Sequence, residues 1–182
     1  MLQLRCIGRR WTVLVAATAA FLFAWPCMVS AAEFHLQEAT IASIHAAFAS
    51  GQLTCLQLTK MCLDRIKAYN MQGPALHAIL TVNPNAMEMA SDMDRRYKAN
   101  PAGAGSLHCI PVILKDNFNT FDMPTTGANV SMKNSFASAD AFTVNRMRRA
   151  GALILAKANL QEFARGGMSI SSLGGRCSTP TT

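Results

Sequence analysis

Two short apolar runs, each followed by a lysine, dominate the pattern of hydrophobic and polar positions along this chain. Ile110–Leu114 is too short for helical periodicity and is rich in β-branched residues, which predicts a buried strand that ends at Lys115. Ala152–Ala156 predicts a second buried strand, followed by Lys157. Between them, Asp140–Gly151 carries apolar residues at helical spacing and ends in glycine. This order predicts a parallel βαβ unit and therefore an α/β fold.

Amphipathic helices are predicted before the first of these strands, because apolar residues recur there at helical spacing after Thr or Asn caps. In order, the predicted elements are a helix from Thr40 to Ser50, a helix from Thr54 to the break at Asn70–Pro74, a strand over His77–Val82, and a helix capped by Asn83 that ends near Ala99. The second helix has an apolar face of Cys55, Leu58, Cys62, Ile66 and Tyr69. The methionine stripe of the third helix is interpreted as core packing.

The first 32 residues have the organisation of an export signal. Arg5, Arg9 and Arg10 are followed by the apolar run Trp11–Trp25 and by small residues up to Ala32. An uncleaved anchor is the alternative, but the run is shorter than the roughly 20 residues that a membrane span needs. We therefore expect residues 1–32 to be a cleaved signal peptide, which predicts a periplasmic or extracellular protein without a stable membrane anchor. The paired arginines hint at twin-arginine export, whereas the ordinary secretory route is favoured.

Composition narrows the functional classes. Without residues 1–32, the chain has 14 Lys or Arg residues against 10 Asp or Glu residues, a mild excess without interleaved aromatic residues. No nucleic-acid partner is therefore expected, and the basic clusters at Arg95–Arg96 and Arg146–Arg149 are interpreted as solvated helix faces. No cofactor or metal site is expected either, because no spacing typical of zinc ligands occurs.

Four cysteines remain after the predicted cleavage: Cys55, Cys62, Cys109 and Cys177. Export permits disulfides, and the sequence leaves all the pairings open except one. Cys55 and Cys62 would lie about 10.5 Å apart along a helix, beyond the roughly 7 Å limit between bridged Cα atoms. Both are expected to be small core residues.

Lys115 is the candidate catalytic residue. Ligands of open α/β sheets bind at the carboxyl ends of strands, and Asp116 and Asn117 beside it could form a polar network. The alternative is a lysine that merely reaches solvent at the end of its strand. The Gly- and Ser-rich stretch Gly166–Thr182 also has three interpretations: a flexible tail, a weakly supported phosphate loop, or the wall of an active site.

Taken together, these segments resemble the amidase signature family. The residues that carry the resemblance are Ile110–Asn117, Met123–Gly127 and Ala150–Phe163, together with Glu38–Ile41 and Asp64–Asn70. The resemblance implies a mixed, largely parallel sheet flanked by helices, with an amino-terminal helical segment. It predicts that residues 33–182 are the amino-terminal part of an incomplete amidase domain.

The chemistry implied by the resemblance is hydrolysis of amide C–N bonds by a Ser/cis-Ser/Lys triad. Lys115 matches the lysine that serves as the base, and the substrate would be a small-molecule amide. The family's serine-rich turn and nucleophile are not found in residues 1–182, and Cys109-Ile110 replaces the glycine usual before the strand's proline. We therefore expect this chain to be inactive alone.

Two further hypotheses remain from the sequence. One is a non-catalytic secreted module built on an amidase-derived scaffold. The other is an improvised dyad of Lys115 with Ser171 or Ser172, which requires hydrogen-bond contact between the two side chains.

Overall fold

The computed structural model describes residues 34–179, so the predicted signal peptide lies outside the described residues. Its elements in chain order are α1 (Ile41–Ala49), α2 (Cys55–Tyr69), β1 (Ile79–Val82), α3 (Ala86–Ala99), β2 (Pro111–Lys115), α4 (Phe142–Arg149), β3 (Leu153–Ala158), β4 (Ile170–Ser171) and β5 (Gly175–Arg176). Within this range, no helix is both long enough and apolar enough to span a membrane.

The helix starts at Thr40 and Thr54 are confirmed. The side chain of each threonine accepts a hydrogen bond from the backbone N–H three residues later, and the side chain of that residue bonds back to the backbone of the cap. These reciprocal bonds satisfy N–H groups that the first turn of a helix leaves unpaired. Because this signal is local, the sequence alone was enough to locate both starts.

The sheet is mixed and has β3 at its centre. The strand order is β1-β3-β2, with β1 antiparallel and β2 parallel to β3. Helix α4 lies in the connection between the two parallel strands, which confirms the predicted βαβ unit. The α/β fold class is therefore as expected.

Helices cover both faces of β3. Leu153 and Leu155 belong to a core with residues of α1, α2 and α3, whereas Ile154 packs in a second cluster with Val144 of α4. Side chains of a strand alternate between its two faces, so consecutive residues of β3 reach different layers. Met89 and Met93 of α3 pack on the first core, as the interpretation of the methionine stripe requires.

Several element boundaries differ from the prediction. Strand β1 begins at Ile79 rather than at His77, whose φ of 50° is outside the extended region. Helix α3 begins at Ala86, because the buried Asn83 side chain accepts from Asn85 N and donates to Ile154 O instead of capping the helix. On α2, Tyr69 lies outside the core and is exposed.

The structure supplies a disulfide pairing that the sequence left open. Cys55 at the start of α2 is bonded to Cys109 before β2, across a sequence separation of 54 residues and a Cα–Cα distance of 5.7 Å. Cys55 and Cys62 are not bonded to each other, as expected. Cys55 is buried in the core as expected, and in addition it crosslinks two elements. Cys62 and Cys177 are free.

The prediction that Arg148 lies on a solvated helix face is wrong. Its guanidinium lies 2.7 Å from Asp122 Oδ1 and 2.9 Å from Asp140 Oδ2, and its side chain is 14% exposed. The two carboxylates are 5% exposed. Arg148 therefore neutralises two buried acids, Asp122 and Asp140. By contrast, Arg95 and Arg96 are exposed and pair with Asp92.

Replacing Arg148 with methionine should destabilise the protein strongly. The change leaves Asp122 and Asp140 buried beside each other without a counter-charge, and breaking a buried ion pair in this way costs about 3–5 kcal/mol. Urea denaturation measures the free energy of unfolding. Arg149→Met, at the exposed neighbouring position of the same helix, is the control. Equal losses in the two variants would contradict the role of Arg148.

Candidate active site

Lys115 is the last residue of β2 and lies at the edge of the sheet where the parallel strands β2 and β3 end. Its side chain is exposed and makes no hydrogen bond or ion pair with any other residue in the range 34–179. Strand β2 is also less buried than predicted: Leu114 is buried, but Ile113 is 46% exposed. The described residues therefore leave one side of this strand, and the Lys115 ammonium, open.

Lys157 differs from its sequence-based prediction. It lies within β3 opposite Leu114 of β2 rather than after the strand, and its side chain is 0% exposed. Its Nζ donates to Pro124 O at 3.0 Å and to Thr125 Oγ1 at 3.1 Å. Burial lowers the pKa of the Lys157 ammonium, and the Asp116 carboxylate opposes that shift. Lys157 is thus the buried lysine of this region.

Asp116 joins the strand end to the loop that follows it. Its Oδ1 lies 3.1 Å from Lys157 Nζ, as an ion pair outside hydrogen-bond alignment. Its Oδ2 accepts from Thr126 N at 3.1 Å, from Thr126 Oγ1 and from Ala128 N at 3.4 Å. The carboxylate is therefore committed to Lys157 and to the loop, although the sequence suggested only a general polar role beside Lys115.

A cleft of about 390 Å³ begins two residues after Lys115 in the sequence. Its polar lining comes from Asn117, Asn119, Thr125, Thr126 and Ser135, and Phe136 and Phe163 contribute aromatic surface. No charged side chain lines it. A small uncharged molecule with hydrogen-bonding groups suits such a surface.

The Gly- and Ser-rich stretch is an ordered hairpin over the part that the structure describes. Asn159, just after β3, donates to Gly174 O at 3.3 Å and accepts from Ser171 Oγ at 2.9 Å. A Cβ on Gly174 would lie 2.4 Å from Leu80 Cδ2 and 2.6 Å from Asn159 Nδ2, so a larger residue would require these side chains to move. The interpretation as a flexible tail is wrong for residues 170–176, and the close backbone approach expected for a wall is present.

The proposed dyad of Lys115 with a nearby serine is not formed. Ser171 Oγ donates to Asn159 Oδ1 at 2.9 Å, and Ser172 Oγ donates to Glu162 Oε1 at 2.6 Å. Neither hydroxyl contacts Lys115. Within residues 34–179, no cluster of three or more His, Cys, Asp or Glu side chains is suited to hold a metal ion.

His108 precedes β2 and is buried between aromatic rings. It stacks on Tyr97 with ring centroids 5.0 Å apart and meets the edge of Phe48. Burial, and to a lesser extent the His45 charge, lowers the pKa of His108 below its usual 6.5, whereas Asp94 acts in the opposite direction. Between the lowered pKa and about 6.5, the unfolded chain therefore binds more protons than the folded protein.

Acidification should consequently destabilise the fold. We expect stability to fall as the pH drops through about 6.5 towards the lower folded-state pKa of His108, and His108→Phe should flatten this slope. Thermal unfolding at several pH values between 7.5 and 5 measures it. Because His35 is exposed, His35→Gln is the control that should keep the slope of the unsubstituted protein. An unchanged slope in His108→Phe would contradict the prediction.

The geometry defines an α/β protein with a lysine at the carboxyl end of a parallel strand and with an uncharged cleft lined by residues that follow this strand. The model of the Amidase family matches residues 57–182. The chain therefore belongs to the amidase family, and the resemblance inferred from its motifs is confirmed.

Relatives with known names agree with this assignment. The chain is 41% identical over 133 residues to a probable amidase of Arabidopsis thaliana, covering 72% of this chain and 25% of that protein. It is 34% identical to a glutamyl-tRNA(Gln) amidotransferase component of Corynebacterium glutamicum, covering 84% of this chain and 30% of that relative. The chain thus spans about a quarter to a third of the length of these relatives.

Among solved structures, the peptide amidase of Stenotrophomonas maltophilia is similar to this chain, with a TM-score of 0.72 and 36% sequence identity. The match covers 78% of this chain and 30% of the peptide amidase.

Proposed function

We propose that this chain contributes the lysine base to an exported amidase-type hydrolase that cleaves carboxamide C–N bonds. The observation that carries the proposal is the position of Lys115, whose ammonium is exposed and unpartnered within residues 34–179 at the end of β2, two residues before the lining of an uncharged cleft begins at Asn117. Membership of the amidase family supports the reaction class. The bridging and nucleophilic serines would come from polypeptide outside residues 1–182.

In the proposed reaction, neutral Lys115 takes a proton from the bridging serine, which takes one from the nucleophilic serine. The oxygen of the nucleophile attacks the amide carbonyl, and the C–N bond breaks as the leaving amine receives a proton. Water then hydrolyses the acyl-enzyme. A neutral amine near pH 7 requires Lys115 to be shielded from water, so the serine-bearing segment would also have to cover this strand end.

The substrate is proposed to be an uncharged small-molecule amide. A cleft lined by amide, hydroxyl and aromatic groups offers hydrogen bonds and apolar contact but no counter-charge for an ionised substrate. Export is proposed on the signal-like sequence of residues 1–32. The disulfide between Cys55 and Cys109 supports it, because disulfides persist in oxidising compartments. A mature amino terminus near Glu33 in the exported protein would support this.

The decisive experiment compares two purified products: the 182-residue chain, and the same chain extended by any polypeptide encoded downstream of Thr182. Each is treated with a fluorophosphonate probe, which labels activated serines, and is assayed for amine release from uncharged amides. We expect labelling and turnover only in the extended product. Rapid turnover by the 182-residue chain would overturn the proposed division of the triad. An extended product that folds but is not labelled would favour a non-catalytic module.

A further inference from the structure

The buried pair Asp116–Lys157 has no part in the proposed chemistry, although it lies next to Lys115. Both side chains are almost completely buried, with exposures of 1% and 0%. Lysine is almost never buried in this way unless it is paired, because removing its charge from water is costly. The ammonium and the carboxylate offset that cost for each other. The other contacts of the two side chains indicate what the pair does in the fold.

Lys157 holds the first residues of the loop segment 124–128, which is called the loop below. Besides Asp116, its ammonium donates to Pro124 O and to Thr125 Oγ1, at 3.0 and 3.1 Å. The ammonium thus makes two hydrogen bonds to the loop and one ion pair to Asp116 Oδ1 at 3.1 Å. Lys157 itself is fixed in the central strand of the sheet, between β1 and β2. The start of the loop is thus anchored to the most buried strand of the fold.

Asp116 holds the same loop further along. Its carboxylate accepts from Thr126 and Ala128, its backbone oxygen accepts from Gly127 N at 3.0 Å, and its own N–H donates to Ala158 O at 3.1 Å. The residue therefore connects β3, the end of β2 and the loop. Any rotation of the Asp116 backbone would also move the preceding residue, Lys115.

We propose that the Asp116–Lys157 pair is a positioning device that fixes the direction of Lys115 and the wall of the cleft formed by Thr125, Thr126 and Gly127. The inference rests on the proposed function for its catalytic consequence. Lys157 is a positioning residue and not a second base, because its side chain is fully buried and its ammonium is held by Asp116, Pro124 O and Thr125 Oγ1.

The charge balance of the pair determines how it can be tested. Lys157→Met alone leaves the Asp116 carboxylate buried without a counter-charge, so this variant could fail to fold. The double variant Lys157→Met/Asp116→Asn removes both charges together and keeps side chains of similar size. Replacing a buried ion pair by neutral groups is often close to neutral for stability. The double variant therefore removes the contacts of the Lys157 ammonium with the loop without leaving an unpaired buried charge.

The matched control is Lys60→Met/Asp64→Asn. This Lys–Asp pair lies on α2 with side chains 66% and 61% exposed, so it undergoes the same chemical change without a buried role. Surface pairs of this kind contribute little to stability. Any effect seen only in the Asp116–Lys157 variant then belongs to the buried site.

The first measurement is amide hydrogen exchange on the 182-residue chain, which needs no enzymatic activity. We expect the amides of Thr126, Gly127 and Ala128 to exchange at least about tenfold faster in the buried double variant, while α2 keeps its protection. The control should match the unsubstituted protein. Unchanged exchange in the loop, or equal acceleration throughout the sheet, would overturn the positioning role.

The second measurement is steady-state kinetics on the extended, catalytically active product. We expect kcat to fall by about 10²-fold in the buried double variant, the scale of a misplaced catalytic group, with no change in the control. A kcat equal to that of the unsubstituted enzyme would overturn the inference. If the enzyme is inactive or keeps its activity in Lys115→Met, the proposed function fails, and hydrogen exchange still decides whether the pair holds the loop.

Discussion

Lys115→Met should reduce amide hydrolysis by the extended product by about 10²–10⁴-fold, the usual contribution of a general base. The methionine keeps most of the length of the side chain but cannot accept a proton. Since Lys115 makes no side-chain hydrogen bond or ion pair within residues 34–179, the substitution should leave the thermal unfolding temperature of the 182-residue chain unchanged. Loss of activity without loss of stability separates a chemical role from a structural one.

Lys115→Arg tests the proton transfer itself. Arginine keeps the positive charge but remains protonated at any ordinary pH, so it cannot serve as the base. We expect this variant to be as inactive as Lys115→Met, in turnover and in fluorophosphonate labelling. Lys98→Met, at an exposed position near the end of α3, is the control that should keep full activity. Recovery of activity in Lys115→Arg would show that charge alone is needed.

The parts of the fold that the sequence predicted well depend on neighbouring residues. Thr40 and Thr54 satisfy N–H groups three residues away, and the stop at Gly151 lies directly after α4. The two apolar runs predicted the paired strands because each is too short for a helix, and the first is rich in β-branched residues. Local signals of this kind need no knowledge of the rest of the molecule.

The errors arose where distant segments decide the outcome. The environment of Lys157 depends on the register of β3 against β2 and on a loop about 30 positions earlier in the chain. Arg148 resembles its exposed neighbours on α4 in sequence, yet Asp122 and Asp140 draw it into the interior. Asp116, directly after Lys115, does not by itself predict a buried ion pair. Its partner, the buried Lys157, is known only from the structure.

The candidate site shows the same division between local and distant information. The apolar run was sufficient to predict that Lys115 ends a strand at the sheet edge, whereas its catalytic role stays a prediction. The sequence could not show that the Ser171 and Ser172 hydroxyls are already bonded to Asn159 and Glu162. Those bonds form because the β4–β5 hairpin folds back on the end of β3. The sequence of this hairpin has no hydrophobic periodicity, so the hairpin could not be predicted.

The second large effect concerns the disulfide between Cys55 and Cys109. Replacing both cysteines with alanine should destabilise the protein by about 2–4 kcal/mol, because the crosslink closes a long loop and restricts the unfolded chain. At roughly 2–4 °C for each kcal/mol in a domain of this size, the unfolding temperature should fall by about 5–15 °C. Cys62→Ala, at a free cysteine of α2, is the control and should cause a smaller loss.

Cys109 allows a finer test, because its φ of 54° lies in the left-handed region that favours glycine. Cys109→Gly and Cys109→Ala both remove the disulfide, but glycine adopts this conformation without the cost of about 1–2 kcal/mol that a Cβ imposes. We expect the glycine variant to be more stable by about that amount, measured by urea denaturation. Equal stability would mean that this turn relaxes once the crosslink is gone. A stability difference in the expected direction would mean that the turn at Cys109 keeps its left-handed conformation even without the disulfide.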